Sequence, residues 1–272
     1  MWLVVALSLF GSMVVASLFA PEFLSQDVKL AYAWPHILPP FGADYLGKPL
    51  WEYAMQGAAV VLGPAAMAGI VVALFAAVAG LARCAGLAWF DTLLQAFSEL
   101  MGALPRMVVV LVVALTVPRE FKTLVPVALA WALLAAPGAM DEAASAAGRL
   151  GGARFVEALR AHGFSAVRIY MFHITWLNLR MVLARQAVEV MMQVVFLEIA
   201  LSYLAAASNR PAITHSDAWK SWADLLYLGY TTAAGGELWG AHSMLHSLAL
   251  GLALVAGVAF MTMAFRRAAR LR

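Results

Sequence analysis

Six long apolar runs, separated by polar segments, set the pattern of this chain. About 20 apolar helical residues cross a hydrocarbon core of roughly 30 Å, and most of the runs reach that length. They lie near 2–20, 55–82, 92–117, 123–139, 174–204 and 243–265. The fourth run is the shortest, and we expect Pro126 and Pro137 to interrupt it. The pattern predicts an all-α polytopic membrane protein with about six transmembrane helices.

Composition supports this class. The chain is 64% hydrophobic and 12% charged, whereas soluble domains have roughly 45–50% apolar and about 25% charged residues. Cys84 is the only cysteine, which excludes a disulfide framework within the chain. The net charge of +3 is too small to indicate a nucleic-acid partner.

The first apolar run has the position of a signal peptide but not its pattern. It lacks a basic segment at its start, and its apolar stretch is longer than that of a typical signal peptide. We therefore interpret 1–20 as a retained span, 21–54 as an outer loop and 55–272 as a core of five further spans.

Lysine and arginine are distributed unevenly between the two sets of loops. One set, the 83–91 loop, the 140–173 loop and the tail, contains Arg83, Arg149, Arg154, Arg160, Arg168, Arg266, Arg267, Arg270 and Arg272. The opposite set has fewer basic residues spread over a longer length of chain. Because cytoplasmic loops carry the excess of basic residues, we expect both termini and the 140–173 loop to be cytoplasmic.

The cytoplasmic loop contains an amphipathic segment. Residues 153–172 alternate apolar and arginine positions with helical spacing, and Gly163 permits a sharp bend there. This predicts a short helix, a turn and a second short helix outside the bilayer. Such a unit fits a groove on a partner protein or the surface of an anionic membrane, and the pattern alone favours neither.

One small pattern, Glu-Ala with Gly five residues further on, occurs twice near this loop, at 142–148 and at 157–163. The run 155–163, FVEALRAHG, is followed by Arg168 and by His173-Ile174. This arrangement resembles the EAA loop of ABC importer permeases, and in particular the dipeptide/oligopeptide/nickel branch. Only the second copy has His-Ile at the required distance, so we interpret 142–148 as a coincidence of alanine-rich sequence.

Further motifs extend the resemblance over nearly the whole chain, in the order of that family. They are PFGADYLGK at 40–48, FD at 90–91 with LP at 104–105, FLEIALSYL at 196–204 and SWA at 221–223. The chain departs from the family pattern at Leu159, at Ala205, at Lys48 and at 175–178, where TWLN replaces Leu-Pro-Asn. This is the pattern of a divergent member.

The resemblance implies a type I ABC importer permease with a cytoplasmic coupling helix, in the inner membrane of a bacterial cell. It implies a translocation path for a peptide, nickel or metal-chelate solute that an extracytoplasmic solute-binding protein delivers. A second homologous permease and two ATPase subunits are the implied partners. The residues expected to contact an ATPase are Glu157, Ala158, Arg160, Gly163, Phe164 and Arg168.

The chain has no GxxxxGK[ST] phosphate loop, no Ser/His/Asp set and no HExxH motif. We therefore expect it to be a transport subunit rather than an enzyme and to hold no cofactor of its own. In this interpretation ATP is bound and hydrolysed by the partner ATPases.

Several charged residues fall inside the predicted spans. Arginine at the centre of a spanning helix costs about 2.5–3.5 kcal/mol on insertion scales, so it normally faces protein or water. Arg185, Glu189 and Gln193 repeat at i, i+4 and i+8 and form a polar stripe. Arg106 lies about two turns after Glu99, on nearly the same face.

Two interpretations of these charges stay open. In one, Arg185 pairs with Glu189 and Arg106 pairs with Glu99, so that the charges are neutralised inside the protein. In the other, Arg106, Arg185, Glu189 and Gln193 line the translocation path and contact a polar or zwitterionic cargo.

His242 and His246 have a spacing that a metal ion could bridge, but the spacing alone is a weak signal and we predict no metal site. The alternative function is that of a polytopic membrane enzyme or scaffold working through its outer 205–242 loop. The aromatic residues that would then grip a lipid or sugar are Trp219, Trp222, Tyr227 and Tyr230.

Overall fold

A computed structural model describes residues 2–118, 123–207, 219–235 and 242–270. Within these ranges the chain is helical and forms no β-strand. The helices are α1 (Trp2–Leu18), α2 (Leu50–Ala85), α3 (Ala88–Ala103), α4 (Arg106–Thr116), α5 (Val125–Gly151), α6 (Arg154–Ala161), α7 (Arg180–Ala207), α8 (Trp222–Ala234) and α9 (Leu245–Arg270). A wider, π-helical segment, Arg168–Leu179, leads directly into α7. The all-helical architecture predicted from the sequence is confirmed.

Four helical stretches are long and apolar enough to cross a membrane. They are Leu50–Ala85, Val125–Gly151, Arg168–Ala205 and Leu245–Ala268. The bent pair α3 and α4 would make a fifth, and α1, with 17 residues, is shorter than the others. A polytopic membrane protein is thus supported, while the count of six spans stays a prediction.

The predicted third span, 92–117, is not one helix. α3 ends at Ala103 and α4 begins at Arg106, with an angle of 80° between the two. Leu104, with φ −79° and ψ 134°, is extended because the ring of Pro105 disfavours helical backbone in the residue before it. The Leu-Pro pair therefore breaks the run that its hydrophobicity predicts to be continuous.

The predicted fourth span is longer than expected. α5 continues without interruption from Val125 to Gly151, so the expected breaks at Pro126 and Pro137 are wrong. Pro126 lies in the first turn, where backbone N–H groups have no helical acceptor, and Pro137 is accommodated within the helix. The alanine-rich stretch after residue 139 has high helix propensity, and it belongs to α5 rather than to a loop.

Contacts divide the chain into two compact units. Unit 1 contains residues 1–65, 114–126 and 192–264, and unit 2 contains residues 66–113, 127–191 and 265–272. Each has its own buried core.

In unit 1, α8 is anchored on the start of α2. Trp222 is fully buried, and its indole N–H donates to the carbonyl of Ala54 at 3.0 Å. Gly57 makes this approach possible, because an added Cβ there would lie 2.3 Å from Cδ1 of Trp222. Gln56 is also fully buried; it donates to the carbonyl of Pro21 and accepts the backbone N–H of Lys220. Unit 1 is therefore held at this point by both packing and paired polar groups.

In unit 2, two apolar clusters form the core. One consists of Ala79, Ala136, Met140 and Ala144, with Phe75, Leu94 and Phe97 packed against it. The other consists of Ala147, Val156, Ile169, Ile174 and Leu179. α5 contributes Ala136, Met140 and Ala144 to the first cluster and Ala147 to the second, so its continuation beyond residue 139 takes part in both.

Candidate functional site

The helix expected to contact an ATPase is α6, and its end is a Schellman turn. Gly163 has φ +79°, a left-handed conformation that glycine adopts without the strain of a side chain. Its N–H donates to the carbonyl of Arg160, and the N–H of Phe164 donates to the carbonyl of Leu159. Phe164 and Leu159 both pack against the second apolar cluster of unit 2, which is the hydrophobic contact typical of this turn. The bend predicted at Gly163 is confirmed.

The apolar face of α6 is covered mostly by the chain itself. Val156 is 1% exposed and lies in the cluster with Ile169 and Ile174, and Leu159 packs against the same cluster, whereas Phe155 is 37% exposed. A groove on a partner would therefore not receive this face as a whole. Because α5 and the π-helical segment cover Val156 and Leu159, a partner would meet Phe155 and the polar side of α6.

The exposed side of α6 carries Glu157, Ala158 and Arg160. Glu157 makes no ion pair or hydrogen bond with any residue in the described ranges. Arg160, in contrast, donates to the hydroxyl of Tyr170 at 2.6 Å, and the guanidinium of Arg168 lies 4.9 Å from the centre of the Phe164 ring. Two of the arginines are thus held by aromatic side chains, while Glu157 projects from a fixed helix with its carboxylate available.

The segment after the turn is not the second short helix that we expected. The helix that begins at Arg168 continues through the π-helical segment and α7 as one candidate span ending at Ala205. Thr175 and Asn178 donate through their side chains to carbonyls five residues earlier, those of Tyr170 and His173, within the wider winding. The turn at Gly163 therefore joins α6 directly to a long helix.

Two charged residues of α7, Arg185 and Glu189, have partners on other helices. Arg185 forms an ion pair with Glu142 of α5, and Gln186 donates to the other carboxylate oxygen of Glu142. The predicted pairing of Arg185 with Glu189 is therefore wrong. Glu142, which we took for part of a coincidental repeat, is a contact between α5 and α7 that sequence reasoning missed. Its position within a predicted loop gave no signal of this contact.

Glu189 accepts a hydrogen bond from Arg266 of α9 at 2.8 Å. Gln193 is half-buried one helical turn further along α7 and also takes part in a polar interaction. The stripe at i, i+4 and i+8 thus contains residues with different partners, rather than one self-neutralised set.

Arg106 is placed differently from the prediction. It is the exposed first residue of α4, beyond the bend, whereas Glu99 lies in α3. In the described part of the chain no ion pair joins the two residues, so that predicted pair is also wrong. The broken helix removes the common face on which the pairing depended.

His242 and His246 each lie against an aromatic ring. The ring centre of His242 lies 4.7 Å from that of Tyr32, and the ring centre of His246 lies 5.2 Å from that of Trp34. Over the residues that the structure describes, no group of three or more potential metal ligands occurs.

The PFGADYLGK run, residues 40–48, forms a compact turn around a buried carboxylate. Asp44 is fully buried, and one of its oxygens accepts the backbone N–H groups of Leu46 and Lys48, both at 2.8 Å. Its other oxygen accepts the hydroxyl of Tyr53 at 2.6 Å. Gly47, with φ +76°, closes the turn. Sequence reasoning used this run only for its resemblance, although an Asp three residues before a Gly is a recognisable turn signal.

The outer loop of the alternative function is described only in part, since 208–218 and 236–241 lie outside the described residues. Trp222, expected there to grip a ligand, is instead buried against α2. Tyr227 and Tyr230 both contact Tyr203. The ring centre of Tyr203 lies 5.9 Å from that of Tyr227 and 5.8 Å from that of Tyr230.

Comparison with known proteins adds no family assignment: no protein-family model matches the chain, and no curated protein matches it.

Proposed function

We propose that this chain is a membrane-spanning permease subunit of an ATP-binding-cassette importer. In this role it forms, with a second homologous permease, the path for a peptide, nickel or metal-chelate solute. Two ATPase subunits supply the energy and hold the ATP, and a solute-binding protein delivers the solute from outside. The assembly would operate in the inner membrane of a bacterial cell, with both termini of this chain cytoplasmic.

The observation that carries the proposal is the construction of α6 and its turn. α6 has only eight residues, and its apolar side is fixed by the core of unit 2. Its polar side is exposed, with Glu157 available for a partner. The turn at Gly163 connects it to a helix of 38 residues that is a candidate membrane span. A force on α6 would therefore be transmitted to a long helix through a short, well-packed connection.

The proposed contact differs from simple insertion of an apolar helix into a groove. The ATPase would receive the exposed face of α6, where Glu157 can accept charge-assisted hydrogen bonds. Arg160 and Arg168 are held in place by Tyr170 and Phe164, so they would set the register of the contact at little further entropic cost.

The test is the substitution Gly163→Asp in the assembled transporter. It places a carboxylate at the contact and forces a side chain into left-handed backbone, so we expect loss of ATPase co-purification and of solute-stimulated ATP hydrolysis in reconstituted membranes. A carboxylate left unpaired in a buried contact costs about 3–5 kcal/mol. Gly163→Asn, which tolerates the left-handed conformation better, should retain more coupling than Gly163→Ala.

Gly86 provides a matched control. It also has a positive φ, +70°, and an added Cβ would meet open space, as at Gly163. Gly86→Asp therefore imposes the same backbone strain and charge in the loop between α2 and α3, outside α6 and its turn, and coupling should persist. If Gly163→Asp couples normally, or if Gly86→Asp uncouples equally well, α6 is not the contact.

A further inference from the structure

Unit 1 contains a cavity that the proposed coupling does not use. It has a volume of about 480 Å³, within the range of roughly 300–1,000 Å³ typical of small-molecule sites. Aromatic and charged side chains dominate its lining: Tyr32, Tyr45, Tyr53, Tyr227, Lys220 and Asp224. The lining as a whole comes from the segment before α2, from the start of α2, from Lys220 with α8 as far as Thr232, and from Met244 before α9, so the cavity forms where four parts of the chain meet.

Lys220 is the cationic group of this lining. Its backbone is fixed, because its N–H donates at 3.0 Å to the buried side chain of Gln56. The side chain is half-buried, and its ammonium makes no hydrogen bond or ion pair with any residue that the structure describes. A half-buried ammonium without a partner favours an anionic ligand, since an opposite charge offsets its loss of hydration.

The carboxylate in the lining, that of Asp224, already has a hydrogen-bond donor within the protein. Oδ2 of Asp224 accepts the backbone N–H of Ser221 at 2.7 Å, and the hydroxyl of Ser221 accepts the N–H of Ala223 in return. This capping box satisfies the first turn of α8. Asp224 therefore serves the helix start, and Lys220 is the charged lining residue whose donors are available to a ligand.

The tyrosines of the lining add hydroxyl donors and aromatic surface to the site. The hydroxyl of Tyr53 is used by Asp44, whereas those of Tyr45 and Tyr227 make no hydrogen bond with described residues. These two can donate to an oxygen anion, and the rings offer flat apolar surface to the rest of a ligand.

We propose that this cavity binds a small monocarboxylate with an apolar body. The ammonium of Lys220 and the hydroxyls of Tyr45 and Tyr227 would donate to its carboxylate, and the tyrosine rings would contact its hydrocarbon part. The inference does not depend on the proposed transport function, because unit 1 holds every residue of the site.

Calorimetric titration of the purified full chain in detergent tests this proposal. The probe is 3-phenylpropionate, and 3-phenylpropionamide is its neutral counterpart of the same shape. We expect saturable binding of the carboxylate with a Kd of about 1 mM or below. The amide should bind about tenfold to a hundredfold more weakly, because it lacks the charge-assisted hydrogen bonds.

Lys220→Met keeps the apolar stem and removes the charge. It should weaken binding of the carboxylate about tenfold to a hundredfold while leaving the affinity for the amide unchanged. Lys29→Met is the matched control, since Lys29 is an exposed lysine of the same unit outside the cavity. Tyr45→Phe, which removes only a hydroxyl, should give a smaller loss for the carboxylate alone.

The comparison of two probes on each variant separates recognition from misfolding, because a collapsed cavity would lose both ligands. The proposal is overturned if wild-type protein does not bind the carboxylate, if it binds the amide equally well, or if Lys220→Met retains full affinity. None of these results bears on coupling at Gly163, which is measured in the assembled transporter.

Discussion

Arg185 on α7 and Glu142 on α5 form an ion pair across 43 positions of the chain. Gln186 donates to the second oxygen of the same carboxylate, so that Glu142 receives two neighbouring side chains of one helix. The two members of the pair are 28% and 37% exposed, which places the contact partly out of solvent. Glu142 thus links α5 to two side chains of α7.

We expect Glu142→Ala to destabilise the protein by about 1–3 kcal/mol, because it leaves a partly buried guanidinium and an amide without their acceptor. Thermal unfolding in detergent measures the loss. The double variant Glu142→Ala/Arg185→Ala should lose less stability than the sum of the losses in the two single variants. Each single variant already removes the shared ion pair, so the double variant loses it only once.

Glu99→Ala is the control for this pair. Glu99 is exposed on α3 and forms no ion pair among the described residues, so its removal should change stability by less than about 0.5 kcal/mol. Equal melting of the Glu142→Ala and Glu99→Ala variants would show that the contact contributes nothing to stability.

Glu189 tests whether the polar stripe of α7 lines the transport path. If it does, Glu189→Gln should alter transport rate or cargo preference in reconstituted vesicles while the complex remains assembled. Arg266→Gln, which breaks the same 2.8 Å contact from the side of α9, serves for comparison. A loss of expression or assembly in both variants, without any change in cargo preference, would assign the pair to structure alone.

α8 can approach α2 closely in unit 1 because residue 57 of α2 is a glycine. Gly57→Ala would place a Cβ 2.3 Å from Cδ1 and 2.8 Å from the backbone nitrogen of Trp222. The backbone cannot yield as a flexible side chain would, so we expect a loss of about 1–3 kcal/mol from overpacking.

Gly11, in the interior of α1, supplies the opposite case. An added Cβ at Gly11 meets nothing within 4 Å, so Gly11→Ala should stabilise the helix by about 0.5–1 kcal/mol. Thermal unfolding of both variants decides the matter. A neutral Gly57→Ala would mean that Trp222 does not pack against α2 as described.

Cysteine labelling checks the orientation. In a Cys84→Ser background, Tyr230→Cys on α8 should react with a membrane-impermeant maleimide added outside the cell, and Ala161→Cys on α6 should react only after permeabilisation. Both positions are exposed, so access to solvent does not distinguish them. The reverse labelling pattern would invert the topology and exclude α6 from contact with a cytoplasmic ATPase.

Local features of this molecule follow from the sequence alone. The apolar runs predict the long helices, because backbone hydrogen bonds in lipid must be satisfied within each segment. The amphipathic spacing of 153–161 and the glycine after it predict α6 and its turn, since both depend on neighbours within a few residues. Leu104 and Pro105 contain the signal for the break between α3 and α4, although hydrophobicity hides it.

Only the tertiary structure decided the partners of the charged residues. The spacing of Arg185 and Glu189 specifies that they share one face of α7, but it cannot specify which helix lies opposite that face. Packing brings Glu142 and Arg266 there, from 43 and 77 positions away. The burial of Val156 was also decided by tertiary packing. Periodicity marks Val156 as apolar, but it cannot show whether the chain or a partner covers it. Here α5 and the π-helical segment cover it.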